Sequence, residues 1–416
     1  GSNWVLTGRY DDNMKTGDSR FPGHLNGSYA NNGGTYGIEV NHTNNSAVMI
    51  GGGATNFELD SFEVANAGFA GLLIKTDNVP TATMDGLKIH DLYIHDTDSE
   101  GVYIGNTSTD ANAQHPFTNL EFYNNRIVRT GTEALQVAHM GDNVRIHNNV
   151  FYLAALDWKN PFQVYQDGNF QIITRGGKTE IDHNIFIGAA GNLFTINFLA
   201  ASGENVSDSE VYMHHNYFSS GRNYLGYILK NDSNKTSGLR FEDNWISQMT
   251  FQYDEINPAN RNSNAMLMAF NNVNNPLILN NNHVSGSQAF IDTIKGLNGT
   301  LKNVSASGNV KEDSIAPVRF MDATFPADFD YTKIERWDDY SDTYKQTIYF
   351  EKGDYVLHNG RMYVNIKEGK STGNEPGQSP DTWQEVAPMT DDLRLTADSP
   401  FQGFGLLDQT PAPGPE

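Results

Sequence analysis

Within one short stretch the chain says nearly the same thing twice. In TNLEFYNNRIVRTGTEALQVAHMGDNVRIHNNVF, residues 118–151, the phrase LEFYNNRIV is followed by VRIHNNVFY. Each phrase alternates apolar and polar residues, as a half-buried strand does, and breaks at an Asn-Asn pair. Between them GTEALQVAHMGD reads as a turn, a second short strand and another turn. A unit this small cannot bury its own apolar side, so it requires copies stacked above and below.

The copies are present. Aligned on the asparagine they read FELDSFEV, LKIHDLYI, LEFYNNRI, VRIHNNVF, TEIDHNIF, VYMHHNYF, LRFEDNWI and LILNNNHV. The pivot column is Phe62, Leu92, Asn125, Asn149, Asn184, Asn216, Asn244 and Asn282, with a ninth copy at Asn309. Successive pivots lie 24 to 38 residues apart, which suits one rung of a β-helix with loops absorbing the differences. Side-chain amides stacked at a tight bend can bond from rung to rung, and Asn tolerates left-handed backbone. Leucine-rich repeats need denser leucine, and helical repeats need a 3.6 period that is absent. The expected fold is all-β: a right-handed parallel β-helix over 1–331, a small antiparallel β module over 332–388, and a closing β-helix segment with a Pro-rich linker over 389–416. Residues 1–33 read as an irregular cap, and 34–50 as the first partial rung.

The apolar fraction is 38% and the formal charge −22 over 416 residues. A solenoid has a thin core and a large surface, so the low apolar content is in keeping. So acidic a surface disfavours nucleic acid and anionic membranes as partners. With no cysteine, disulfides and thiolate chemistry are excluded. A secreted or cell-surface monomer is expected.

Stacked rungs turn sequence columns into surfaces, because equivalent residues sit about 4.8 Å apart. The segments after the pivots read AGLLIKTD, EGVYIGNT, EALQVAHM, NFQIITRG, NLFTINFL, LGYILKND and AMLMAFNN. One column opens with Glu100 and Glu133 in adjacent rungs, which would bring their carboxylates to about the 5–5.5 Å of a retaining glycosidase. Two carboxylates that close push one pKa upward, as a general acid requires. Asp96 and Asp98, in HDTDSEG, crowd the same corner and are candidate ligands for a calcium ion. A second column closes the strand with Lys75, His139, Arg175 and Lys230, beside Tyr103 and Gln136, and would suit an anionic sugar chain. The long loop AALDWKNPFQVYQDGN adds Trp158, Phe162, Tyr165 and Gln166 as sugar platforms, and a second loop adds Tyr253, Asp254 and Glu255. A further column, His90, Tyr123, His147, Asp182, His214 and Glu242, reads as a surface ladder.

The asparagine-ladder rungs resemble the right-handed parallel β-helix superfamily of polysaccharide lyases and glycoside hydrolases. Within them, TEALQVAHMGDNVRIHNNVF followed by QIITRGGKTEIDHNIF is similar to the core of alginate lyases and chondroitinase B. That resemblance implies a calcium-bound glutamate at Glu133 and an assisting arginine at Arg175, while the lysine base falls on His139, or on Ala138 if the register slips. HDTDSEGVYIGNT resembles secreted marine-bacterial β-helix proteins, some of them hydrolases of sulfated algal polysaccharides. GDYV, NGRMYV and the terminal TW of 332–388 resemble small chitin- and cellulose-binding modules, which implies Tyr349, Tyr355, Tyr363 and Trp383 as stacking or core residues.

The resulting expectation is an endo-acting hydrolase of an acidic or sulfated, algal polysaccharide, using Glu100 and Glu133 and needing no cofactor. One alternative is a calcium-assisted lyase acting on a uronan through His139 and Arg175. Another is a non-catalytic sugar-binding adhesin.

Overall fold

The computed structural model describes residues 2–9, 36–75, 83–107, 116–163, 166–189, 191–198, 208–230, 237–249, 267–286, 290–387 and 389–407. Tyr165 and the loop carrying Tyr253, Asp254 and Glu255 lie outside the described residues.

Each rung contributes three parallel strands. In the rung that carries Asn125 these are Phe117–Tyr123, Arg126–Thr130 and Leu135–Met140. Strands of the second kind form a 10-stranded parallel sheet, and the other two kinds join round a corner into a 19-stranded one. The result is a three-faced parallel β-helix, and the faces are called first, second and third in the order the chain visits them.

The pivot asparagines close the corner between the first two faces. Each side-chain Nδ2 donates to the Oδ1 of the next rung's asparagine: Asn125 to Asn149 at 3.0 Å, Asn149 to Asn184 at 2.9 Å, Asn184 to Asn216 at 3.0 Å. The series continues through Asn244 and Asn282 to Asn309. The same oxygens accept backbone N–H groups, as Asn184 Oδ1 does from Asn149 at 3.0 Å. The left-handed residue is not the pivot but its predecessor: Asp91, Asn124, Asn148, His183, His215, Asp243 and Asn281 have φ between 51 and 56°. Inside, phenylalanines stack from rung to rung, with Phe151–Phe186 and Phe186–Phe218 centroids both 4.9 Å apart.

Two expectations are corrected. Ser2–Thr7 is not irregular but a strand of the first face paired with Thr55–Asp60, its Trp4 stacked on Phe57 at 4.7 Å. Nor is 389–407 a last turn. Asp391–Leu395 runs antiparallel to Phe320–Ala323, and the segment lies along the outside of the second face. That face turns apolar side chains outward, among them Val128, Tyr152, Ile187 and Tyr217, which pack against Phe325, Leu393, Phe401 and Leu406. Burying each such side chain stabilises by about 1.5–3 kcal/mol, so the covering is strongly favoured. It also meets two buried cations. Arg129 donates to Asp391 at 2.7 Å and to Asp96 at 2.7 and 3.1 Å, and Arg126 lies over the Tyr93 ring at 4.0 Å. Burial alone would raise the Asp391 carboxyl, but Arg129 and the Tyr93 hydroxyl hold it below the usual carboxylate range.

Between the two antiparallel strands is inserted the small module, a four-stranded sheet of Ile334–Arg336, Tyr355–His358, Arg361–Asn365 and Trp383–Val386. Tyr363 and Trp383, expected to stack on sugar, are buried instead in its core with Ile348, Phe350 and Val356. Small as it is, the module has few other apolar residues for a core. Tyr355 packs on Phe325 and Phe329, and Tyr349 remains exposed.

Two outcomes are expected in denaturant unfolding. Asn184→Ala strands several buried donors and acceptors and lowers stability by about 3–4 kcal/mol, whereas Asn309→Ala, half-exposed at the ladder's end, costs about 1 kcal/mol. Asp391→Ala leaves Arg129 short of a counter-charge and costs about 3–5 kcal/mol near neutral pH. Asp96 and Asp391 keep their charge to lower pH when folded than when unfolded, where Asp titrates near about 3.9. Their contribution is therefore complete above about pH 4 and lost as pH falls through the lower folded values. The acid limb of the stability curve flattens in Asp391→Ala.

Candidate functional site

With the second face covered, a broad cleft lies over the third. It has a volume of about 750 Å³. Its floor is a column in strict register: Tyr103 pairs with Gln136, Gln136 with Gln171, Gln171 with Thr195 and Thr195 with Tyr227. These side chains face outward because their neighbours, such as Val102, Ile104, Leu135 and Val137, point into the core. Tyr103 and Gln136 were expected here. Extending their column along the aligned rungs is the signal that would have found Gln171, Thr195 and Tyr227.

The carboxylates sit where the strands of this face begin. Gly101 N–H donates to the Glu133 carbonyl at 2.9 Å, so Glu100 and Glu133 do occupy the same place in adjacent rungs. Only Glu100 reaches the cleft. It accepts from Ser99 Oγ at 2.8 Å and Gln166 Nε2 at 3.2 Å, and burial raises its pKa against the Ser99 bond. Glu133 is fully buried, and its carboxylate oxygens have no well-formed hydrogen bond. Burial first, then the charge of Glu100, pushes it well up; Thr132 and its own amide offset only part of that. A third carboxylate, Asp167, was not anticipated. It lines the cleft, its charge also raises Glu133, and it lies one rung beyond Glu133. Gly191 makes room for it: a Cβ there would meet the Asp167 carboxyl at 2.6–2.7 Å. The retaining-type pair of Glu100 and Glu133 is thus adjacent as expected, but only one member faces substrate.

The remaining expected residues go elsewhere. His139 is fully buried, at a bulge where the strand register shifts, and is not part of an outer stripe. A buried imidazole cannot act on a polymer outside, so the elimination reading loses its base. Lys75, Arg175 and the backbone of Lys230 lie at the opposite end of the strands from Glu100, about 20 Å away along the chain direction in the case of Arg175. Asp96 is committed to Arg129 and to His95 at 2.6 Å, and Asp98 to Arg336, so these two acids are ion-paired and do not converge as a calcium site. Groups of acids and histidine do converge on the first face, at Glu58, Asp60 and His90 and at Glu180, Asp182 and His214, where the expected ladder runs. There the His90, Tyr123 and His147 rings stack at 4.5 and 5.1 Å.

Trp158 is a docking residue, not a sugar platform. It is buried under the Arg222 guanidinium, 3.4 Å from the ring centroid, and donates to the Ile334 carbonyl at 3.3 Å. Lys159 bonds Glu335 at 2.5 Å, so this loop fastens the small module to the solenoid. From the same loop Phe162 is 74% exposed and lines the cleft with Gln166.

No family model matches the chain, and no curated protein matches it. Among solved structures it is similar to PfbA, a surface adhesin of Streptococcus pneumoniae, with 9% identity and a TM-score of 0.34, over 84% of this chain and 66% of that one. A likeness this low carries no inference about activity. Among the described residues no helix is long and apolar enough to cross a membrane. Fold and site together define a parallel β-helix protein with a carboxylate-bearing cleft over its third face, whose floor is uncharged among the described residues.

Glu133 binds its proton more tightly folded than unfolded, so it costs no stability below about pH 4, and the cost grows as pH rises toward its folded value. Glu133→Gln is therefore expected to melt higher than the parent protein at pH 7–8 and at the same temperature near pH 4, by calorimetry.

Proposed function

We propose that the protein is a glycoside hydrolase that cleaves a polysaccharide held in the third-face cleft. The observation that carries the reading is the cluster of three buried carboxyls, Glu100, Glu133 and Asp167, of which Glu100 and Asp167 line the cleft and Glu133 does not. Glycoside hydrolysis needs one carboxyl that keeps its proton near neutral pH and one that has lost it. Burial raises Glu100, which suits it to protonate the leaving oxygen. Asp167 is the base that activates water. Glu133 lies between them as a positioning residue, its carboxyl pushed well up by burial and then by the charge of Glu100.

Glu100 and Asp167 are two rungs apart, roughly 10 Å at the backbone. That spacing favours the wider carboxylate separation of inverting enzymes, about 6.5–9.5 Å, over the retaining geometry of an adjacent pair. Secretion or display at a cell surface fits a polymeric substrate that cannot enter a cell.

Incubation with a panel of polysaccharides, following reducing ends and the ultraviolet absorbance of unsaturated products together, tests this. Reducing ends are expected to rise without absorbance, with the product anomer inverted by NMR. Glu100→Gln and Asp167→Asn should each lower kcat by about 10²–10⁴-fold while substrate binding persists. Polymer that is bound but never shortened would instead make the chain a sugar-binding adhesin.

A further inference from the structure

We infer that the glycan is uncharged and lies along the solenoid axis, with sugars remote from the cleavage point seated on Tyr224 and Tyr227; only the position of the broken bond rests on the hydrolase reading. The floor from Tyr103 to Tyr227 takes four rung steps, roughly 19 Å, and carries phenol, amide and hydroxyl groups but no charge. Such a column crosses the strands, so a chain lying on it follows the axis.

Three observations set the charge of the ligand. Among the described residues that line the cleft there is no lysine, arginine or histidine, while Glu100 and Asp167 are both acidic. A sulfate or uronate there would meet repulsion with no counter-charge among the described lining residues, in a molecule of formal charge −22. The side-chain amides that line the cleft, Gln136, Gln166, Gln171, Asn192 and Asn197 among them, are neutral groups of the kind that pair with sugar hydroxyls.

The far end of the floor is aromatic. The Tyr224 and Tyr227 rings stack with centroids 5.9 Å apart and 18° between their planes, and both line the cleft partly exposed. A partly exposed aromatic ring at this end can take the C–H face of a sugar.

Affinity electrophoresis of the whole chain tests the inference, in gels containing either neutral polymers (galactomannan, xyloglucan, a β-glucan, a neutral galactan) or anionic ones (alginate, a carrageenan). At least one neutral polymer is expected to retard the protein and neither anionic one to do so. Tyr227→Ala should weaken that retardation about three- to tenfold with an unchanged melting temperature, and raise KM more than it lowers kcat if bonds are broken. Tyr349→Ala, on the exposed surface of the small module, should leave it unchanged. Retardation by alginate or carrageenan, or retardation lost in Tyr349→Ala and not in Tyr227→Ala, overturns the inference. Retention by a neutral polymer without cleavage leaves it standing and removes the hydrolase reading, cleavage of an anionic polymer does the reverse, and retention by no polymer removes both.

Discussion

Every feature of this molecule depends on one contact, the hydrogen bond from an asparagine amide to the asparagine one rung on. A buried polar group without a partner costs about 1–3 kcal/mol, and each ladder amide has its partners directly above and below. The corner is therefore favourable only when copies are stacked in one register. That register then converts sequence columns into straight lines of side chains. The phenylalanine stack in the core, the histidine and tyrosine rings on the first face and the cleft floor on the third all follow from it.

The three faces have different fates because their outward residues differ. The second face presents apolar side chains and two arginines to the outside, a combination that water serves badly. The C-terminal segment answers both needs, with Leu393, Phe401 and Leu406 against the apolar positions and Asp391 against Arg129. Inserting the small module between the covering strands brings it over the loop at Trp158, where Lys159 and Glu335 hold it. These contacts leave the third face open. The candidate site thus lies on a face that the covering segment leaves open, and where that cover ends is set by elements far away in sequence.

The carboxylate cluster runs against stability. Burying Glu133 beside Glu100 and Asp167 disfavours its ionised form and contributes nothing to packing that a leucine would not. A β-helix tolerates this because its stability is spread over many rungs, each held by its neighbours. Buried carboxyls with shifted pKa values beside a cleft are the physical mark of a candidate functional site.

The sequence by itself determined the solenoid, its rung boundaries and the adjacency of Glu100 and Glu133, because a ladder of identical residues admits one register and register is local. Tyr103 and Gln136 followed from the same rule. What it could not determine was depth. His139 reads as the end of an outward column, yet a bulge after Val137 shifts the register and buries it. Trp158, Tyr363 and Trp383 have the chemistry of sugar platforms, but each meets another element and becomes core. Asp96 and Asp98 look like cation ligands until Arg129 and Arg336 arrive, the latter from 238 residues away. Asp167 joins the cleft only because a loop of another rung brings it there. Column position is a property of the repeat, but burial and ion pairing depend on which distant segment covers each face, and only the tertiary structure decides that.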